Sequence, residues 1–144
     1  MSARDIVSYI QVQSALDAMP AKKTTFTSAT IDRRKSDGGY EALALYLLCG
    51  TYTDGSFAFQ INDSPDGSTW TAVSTTPPDN LTPDGSTGFA SITNAGTAVN
   101  QKVGYIGSQR YVQVVCTVTG SPATGCQLDL LGVLGNPRNM PTTA

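Results

Sequence analysis

Val103-Gly104-Tyr105-Ile106-Gly107-Ser108-Gln109-Arg110-Tyr111-Val112-Gln113-Val114-Val115-Cys116-Thr117-Val118-Thr119-Gly120 is the stretch that decides the fold. Side chains alternate across a strand with period two. From Arg110 onward that period puts Val112, Val114, Cys116 and Val118 on one face. Tyr111, Gln113, Val115, Thr117 and Thr119 fall on the other. β-Branched and aromatic residues dominate, which suits a pleated, half-buried surface. Gly104 and Gly107 precede the run, and Gly120 and Pro122 follow it, so breakers bound it on both sides. The spacing predicts a central strand of an all-β domain.

Working outward, similar runs recur. Residues 24–32 read as a Thr-rich first strand, followed by Arg33-Arg34-Lys35 and a Ser36-Asp37-Gly38-Gly39 turn. Residues 41–49 read as a strand apolar on both faces. Leu43, Leu45 and Leu47 occupy one side; Ala42, Ala44, Tyr46 and Leu48 occupy the other. Such a strand is buried on both sides or has one side against a partner. Phe57, Phe59 and Ile61 mark a third strand. The loop Asp63-Ser64-Pro65-Asp66-Gly67-Ser68 then leads to residues 69–73, a hairpin by local chemistry. Trp70 is expected at the core edge. Residues 74–97, with Pro77-Pro78 and Pro83-Asp84-Gly85, read as a long loop with a short strand near 89–93. Residues 97–106 and 127–134 supply the remaining strands. Seven or eight short strands without a strong helix predict a β-sandwich or jelly roll.

The ends differ from the middle. Residues 1–23 read as an N-terminal arm. Ile6, Val7 and Ile10 give a weak helical pattern ending at Pro20, while Tyr9, Ile10 and Val12 fit an extended segment equally well. Residues 24–135 form the sandwich, and residues 136–144, with Pro137 and Pro141, an extended tail. No apolar h-region marks a secretory signal. The longest apolar run, residues 42–49, is far short of a membrane span.

Only 14% of the 144 residues are charged, well below a typical domain, so the chain is turn-rich or covers much of its surface with neighbours. Charge is segregated: residues 1–35 are net +3, residues 36–101 net −7 with no Lys or Arg, and residues 102–144 net +2. This allows one subunit's basic segment to meet another's acidic loops. The overall net charge of −2 disfavours nucleic acid, whose phosphates are neutralised by Lys and Arg. Cys49, Cys116 and Cys126 are too few for a disulfide framework. Reduced thiols are expected, with a Cys116–Cys126 bridge across the short intervening turn as the alternative.

The search for chemistry returns little. There is no histidine, which removes Ser-His triads and the commonest base and metal ligand. Nucleotide-binding and hydrolase motifs are absent, and Glu41 is the single glutamate, so no opposed carboxylate pair suggests a glycosidase. Residues 62–67 lack the distal Glu of a calcium loop. Their Asp and Gly are accounted for by turn geometry. Tyr105 and Tyr111 flank Arg110, an arrangement that can stack on a sugar or base. Sheet-edge tyrosines with hydroxyls in water are the expectation. No enzyme activity, cofactor or metal is expected.

The opening stretch, read from Val103 to Val115, resembles a signature of small virion structural proteins from tailed bacteriophages. Thr51-Tyr52-Thr53-Asp54-Gly55 is similar to that family's turn after an apolar strand. Residues 63–70 are similar to its hairpin, and Leu134-Gly135-Asn136-Pro137-Arg138-Asn139-Met140-Pro141 to its tail. Gln109 and Gln113 stand where the family usually has basic residues, and Asn136 and Asn139 where it has histidines. The resemblance implies a jelly-roll cement or decoration protein, assembled in the host cytoplasm onto the virion head. It would bind the major capsid protein and its own copies as a dimer or trimer, without nucleic acid or membrane. A neck or tail component or a host-glycan-binding module is the alternative. Expected contacts are the arm (Ile6, Tyr9, Ile10, Val12, Leu16), the basic cluster (Arg33, Arg34, Lys35), Phe89 and Ile92 in the 77–96 loop, and the terminal tail.

Overall fold

The computed structural model describes residues 9–16, 20–35, 38–73, 80–82 and 88–138. They form ten strands: β1 (Ile10–Leu16), β2 (Phe26–Thr27), β3 (Ile31–Asp32), β4 (Tyr40–Tyr52), β5 (Ser56–Ser64), β6 (Thr71–Ala72), β7 (Leu81–Thr82), β8 (Gln101–Tyr105), β9 (Tyr111–Thr119) and β10 (Cys126–Pro137). The first sheet runs β1-β10-β4-β8-β7 and the second β2-β9-β5-β6, with β3 also paired to β9. Every pairing is antiparallel. When β2 and β3 are counted as one broken strand and the two-residue β7 as an edge addition, eight strands divide into two four-stranded sheets, β1-β10-β4-β8 and β2-β9-β5-β6. This is the jelly-roll arrangement, which limits exposed strand edges by folding hairpins over one another.

The core lies where the two sheets face each other. β9 contributes Val112, Val114 and Cys116, all buried, and sits centrally between β2/β3 and β5. β4 presents Leu43, Leu45 and Leu47, and β10 presents Cys126, Leu128, Leu130 and Leu134. Ile31, at 0% exposure, crosses from the second sheet and fills the space over Gly132, where a Cβ would come within 2.8 Å of its Cδ1. A side chain at Gly132 would therefore displace Ile31 from a packed interior.

Several boundaries differ from the sequence expectation. The residue 24–32 strand is broken at 28–30. There Ser28 substitutes for the missing ladder, with Val114 N–H donating to Ser28 Oγ at 2.9 Å and Ser28 N–H to Val114 O at 2.9 Å. Residues 10–16 do not form a helix; they pair with β10 from Ile10↔Gly135 to Leu16↔Leu130, with a bulge after Ser14. β10 continues through Pro137, so the expected tail begins as ladder. The short strand expected near 89–93 is a single bridge, Phe57↔Ile92. Trp70 is half-buried. The three cysteines are unpaired; Cys116 and Cys126 are buried in the core, where free Cys packs as a small hydrophobe.

Tyr105 is 1% exposed and not at a wet sheet edge. Its hydroxyl donates to Asp63 Oδ2 at 2.7 Å and accepts from Gln109 N–H at 3.2 Å. Burial and the adjacent Asp63 carboxylate push its pKa upward, so the phenol stays a donor. A Cβ at Gly107 would collide with the Tyr105 phenol. Gly107→Val is therefore expected to destabilise the fold by about 2–3 kcal/mol through overpacking. Gly135→Ala, whose added carbon meets nothing closer than 4.0 Å, is expected to stay within about 0.5 kcal/mol. Urea unfolding of both variants checks this, and equal midpoints would refute it.

Candidate functional site

The residues expected to make contacts are sorted by the fold into three groups. Arg33, Phe89 and Ile92 are interior: 7%, 5% and 0% exposed. Phe89 packs edge-on to Phe59, with ring centroids 6.0 Å apart, and Ile92 bridges to Phe57. They sit in a loop by composition, yet their apolar side chains close one end of the sandwich. Arg34 and Lys35 are exposed. Tyr9, Ile10, Val12 and Leu16 belong to or adjoin the edge strand β1, with Val12 exposed and Leu16 turned toward the core by the bulge. Ile6 and residues 77–79, 83–87 and 139–141 lie outside the described residues.

The two outer faces of the sandwich are unlike. On the first sheet, register aligns Val12, Val133, Ala44 and Gly104 in one outward row. Ser14, Leu131, Tyr46 and Lys102 form the next, and Asp129 and Leu48 sit side by side in a third. Solvent reaches every one of these apolar side chains, and Val12 is 55% exposed. On the second sheet the corresponding outward pairs are Ala58 and Thr117, Gln60 and Val115, and Asn62 and Gln113. An antiparallel sheet with one solvated face normally makes that face polar. The second sheet follows the rule. The first departs from it, with Val12, Val133, Leu131, Tyr46 and Leu48 reached by solvent among Ser14, Lys102 and Asp129, and an apolar patch open to solvent marks an interaction surface.

The titratable groups are occupied structurally. Arg110 makes two hydrogen bonds to Asp32, at 2.8 and 2.9 Å, and its guanidinium lies 4.8 Å over the Tyr111 ring. Asp54 accepts from the N–H groups of Ala123, Thr124 and Gly125. Asp66 accepts from Ser68 and Thr69 N–H and from the Ser64 hydroxyl. Arg33 donates through Nη1 to Gly107 O and Gln109 O at 3.0 and 2.7 Å, and through Nη2 to Glu41 O at 2.6 Å. Among the described residues, no group of three His, Cys, Asp or Glu side chains is placed to hold a metal.

No family model, curated protein or solved structure matches this chain.

The carboxylates set an acid limit. The Arg110 guanidinium holds the Asp32 carboxyl below the usual range, backbone N–H groups do the same for Asp54, and those of Thr69 and Ser68 bring Asp66 down to about 2. A carboxyl whose folded pKa is depressed adds stability above its unfolded value near 3.8, and that stability is lost as pH falls through the folded value. With no histidine in the chain, stability is expected to be flat from about pH 5 to 8 and to fall below about pH 4. Asp32→Asn should shallow the acid limb. Denaturation midpoints measured across that range check it; a steep change near pH 6.5 would contradict the assignment. Arg33→Met should cost about 3 kcal/mol or more by orphaning three carbonyls, against about 0.5 kcal/mol or less for Arg34→Gln.

Proposed function

We propose that the protein is a structural component of a tailed-bacteriophage virion, a cement or decoration protein that binds the major capsid lattice and stabilises the head. The observation that carries this reading is the apolar outer face of the first sheet, set beside a polar outer face on the second. That asymmetry fits a domain that presents one side to a partner and the other to water. The motif resemblance along the chain supports the same reading. So does the use of Asp32, Asp54, Asp63 and Asp66 in structural bonds, which leaves them unsuited to acid–base catalysis.

The mechanism is burial across subunit joints. A ligand that binds only the intact shell stabilises it by mass action, so each decorated joint resists opening in proportion to occupancy. A standard interface buries roughly 800 Å² per partner, more than one row of side chains supplies. Self-association of the decorating copies compensates, because linked sites raise effective concentration without new contacts. β1 and the strand rows beside it are the contact element. The arm proper is then confined to the residues before Ile10, since Ile10–Leu16 is part of the sheet.

Val12→Lys and Leu131→Lys place a charge on the proposed contact face, while Gln60→Lys places one on the opposite face. Binding to undecorated shells of the neighbouring capsid protein, followed by co-sedimentation, is expected to weaken tenfold or more for the first two, about 1.4 kcal/mol or greater. The third should bind as the parent does. Unchanged binding by both first-sheet variants, with melting midpoints intact, would sink the proposal.

A further inference from the structure

A second feature stands apart from the apolar face. At the corner where the β3–β4 turn meets the β8–β9 connection, a cavity of about 230 Å³ is lined by Arg33, Arg34, Arg110 and Arg138. Glu41 is the one carboxylate in its lining, with Tyr40, Ser108 and Gln109 completing the wall. Four guanidiniums around one small space repel one another unless anions intervene. Two anions are already present. Asp32 is held by Arg110, and Glu41 lies 3.9 Å from Arg138, with both of the latter side chains more than half exposed. Among the described residues, the four lining guanidiniums and these two carboxylates leave an excess of two positive charges.

Arg33 supplies an independent observation. It is 93% buried by its 7% exposure, and all of its hydrogen bonds go to neutral carbonyls. Its Nε is buried without a hydrogen-bond partner, and among the described residues no carboxylate reaches it at ion-pair distance. Buried charges in proteins are ordinarily paired, because desolvation is costly without a counter-charge. Burial is the main cause that pulls its pKa down, with the charges of Arg34 and Arg138 acting the same way and Tyr105 and Glu41 opposing them. Arg34 and Arg138 are exposed and able to turn toward the cavity, and Ser108 offers a neutral hydroxyl at its wall.

We propose that this corner is a binding site for a dianionic oxyanion of the phosphate type, held by Arg34 and Arg138 with the buried Arg33 as fixed counter-charge behind it. Guanidinium groups match phosphate oxygens in paired, charge-assisted hydrogen bonds. One dianion neutralises the excess of the cluster. Binding ties the β3–β4 turn to the end of β10, where Arg138 N–H already donates to Gly39 O at 3.0 Å. The bound state is thus more stable against opening of this corner.

The test uses the full-length chain with inorganic phosphate, by calorimetric titration and thermal unfolding at pH 7.5, with chloride at matched ionic strength as reference. The parent should bind phosphate saturably and gain melting temperature beyond the chloride reference. Arg34→Gln/Arg138→Gln, both at exposed side chains, should bind about tenfold more weakly or not at all while unfolding normally in chloride. Lys22→Gln/Lys23→Gln, on a basic pair remote from the cavity, should bind as the parent does. A response to phosphate no larger than that to chloride overturns the site. Saturable binding that survives in the double-arginine variant overturns its location. Capsid binding plays no part in the measurement, so the outcome is independent of the proposed function.

Discussion

One buried guanidinium holds the corner on which this sandwich turns. Arg33 leaves the end of the broken β2/β3 strand and donates to carbonyls of two other segments: Gly107 and Gln109 in the β8–β9 connection, and Glu41 at the start of β4. Its own backbone joins the same knot, with Arg33 N–H donating to Arg110 O and Tyr40 N–H to Arg33 O. The β8–β9 connection has no ladder of its own here, and its carbonyls would be unsatisfied inside the fold without this donor fork. Because β8 belongs to one sheet and β9 to the other, the fork fixes how the two sheets meet. The Arg33 guanidinium also lies 5.3 Å over the Tyr105 ring, whose hydroxyl reaches Asp63 on β5. Charge, aromatic face, phenol and carboxylate form one chain across the core, and a buried network of this kind specifies a single arrangement only when its members are satisfied together.

A sheet held at such a corner is rigid enough to present its outer faces as fixed surfaces. The inner faces of both sheets follow the ordinary rule of burial, so they say nothing about purpose. The outer faces are where the chain had freedom, and there the two sheets diverge. Thr, Gln and Asn on the second sheet are what solvent contact alone requires. Val, Leu and Tyr on the first are not required by the fold, because the core closes without them. The proposed contact accounts for them, with Lys102 and Asp129 on either side of Tyr46 and Leu48 as its polar rim.

Much of the sandwich was legible because β9, β4 and β10 are long and alternate in step, and long periodic segments leave little room for other readings. β1 was not, for a physical reason. Its inward position at Gln13 is polar: the side chain crosses to the second sheet, donating to Asp32 O at 2.9 Å and accepting from Asp32 N–H at 3.1 Å. Its outward position at Val12 is apolar. The pattern is thus inverted, so the weak helical pattern of Ile6, Val7 and Ile10 stands level with the extended reading of Tyr9, Ile10 and Val12. In the Arg33-Arg34-Lys35 cluster the three cations look alike in sequence, yet Arg33 is the one that donates to buried carbonyls, and carbonyl placement leaves no trace in side-chain identity. Phe89 and Ile92 show the converse, since loop composition hid two core residues whose burial depends on a single bridge.

The stretch that carries the family resemblance is the same stretch that builds the corner. Val103 and Tyr105 are core, Gly107 is glycine because the Tyr105 phenol occupies the space of a side chain, the carbonyls of Gly107 and Gln109 receive Arg33, and Arg110 pairs with Asp32. Each of these residues is explained by packing or hydrogen bonding within the domain. Ile106, 62% exposed, is the member of the stretch that packing within the domain does not account for. What distinguishes one sandwich from another must then lie in residues the fold does not use: the outward rows on β1, β10 and β4, and the exposed arginines at the mouth of the corner cavity. The outward face of β4 is already visible in the sequence as the Ala42, Ala44, Tyr46 and Leu48 run, whereas the grouping of the corner arginines is not, since no periodicity brings Arg34 and Arg138 together.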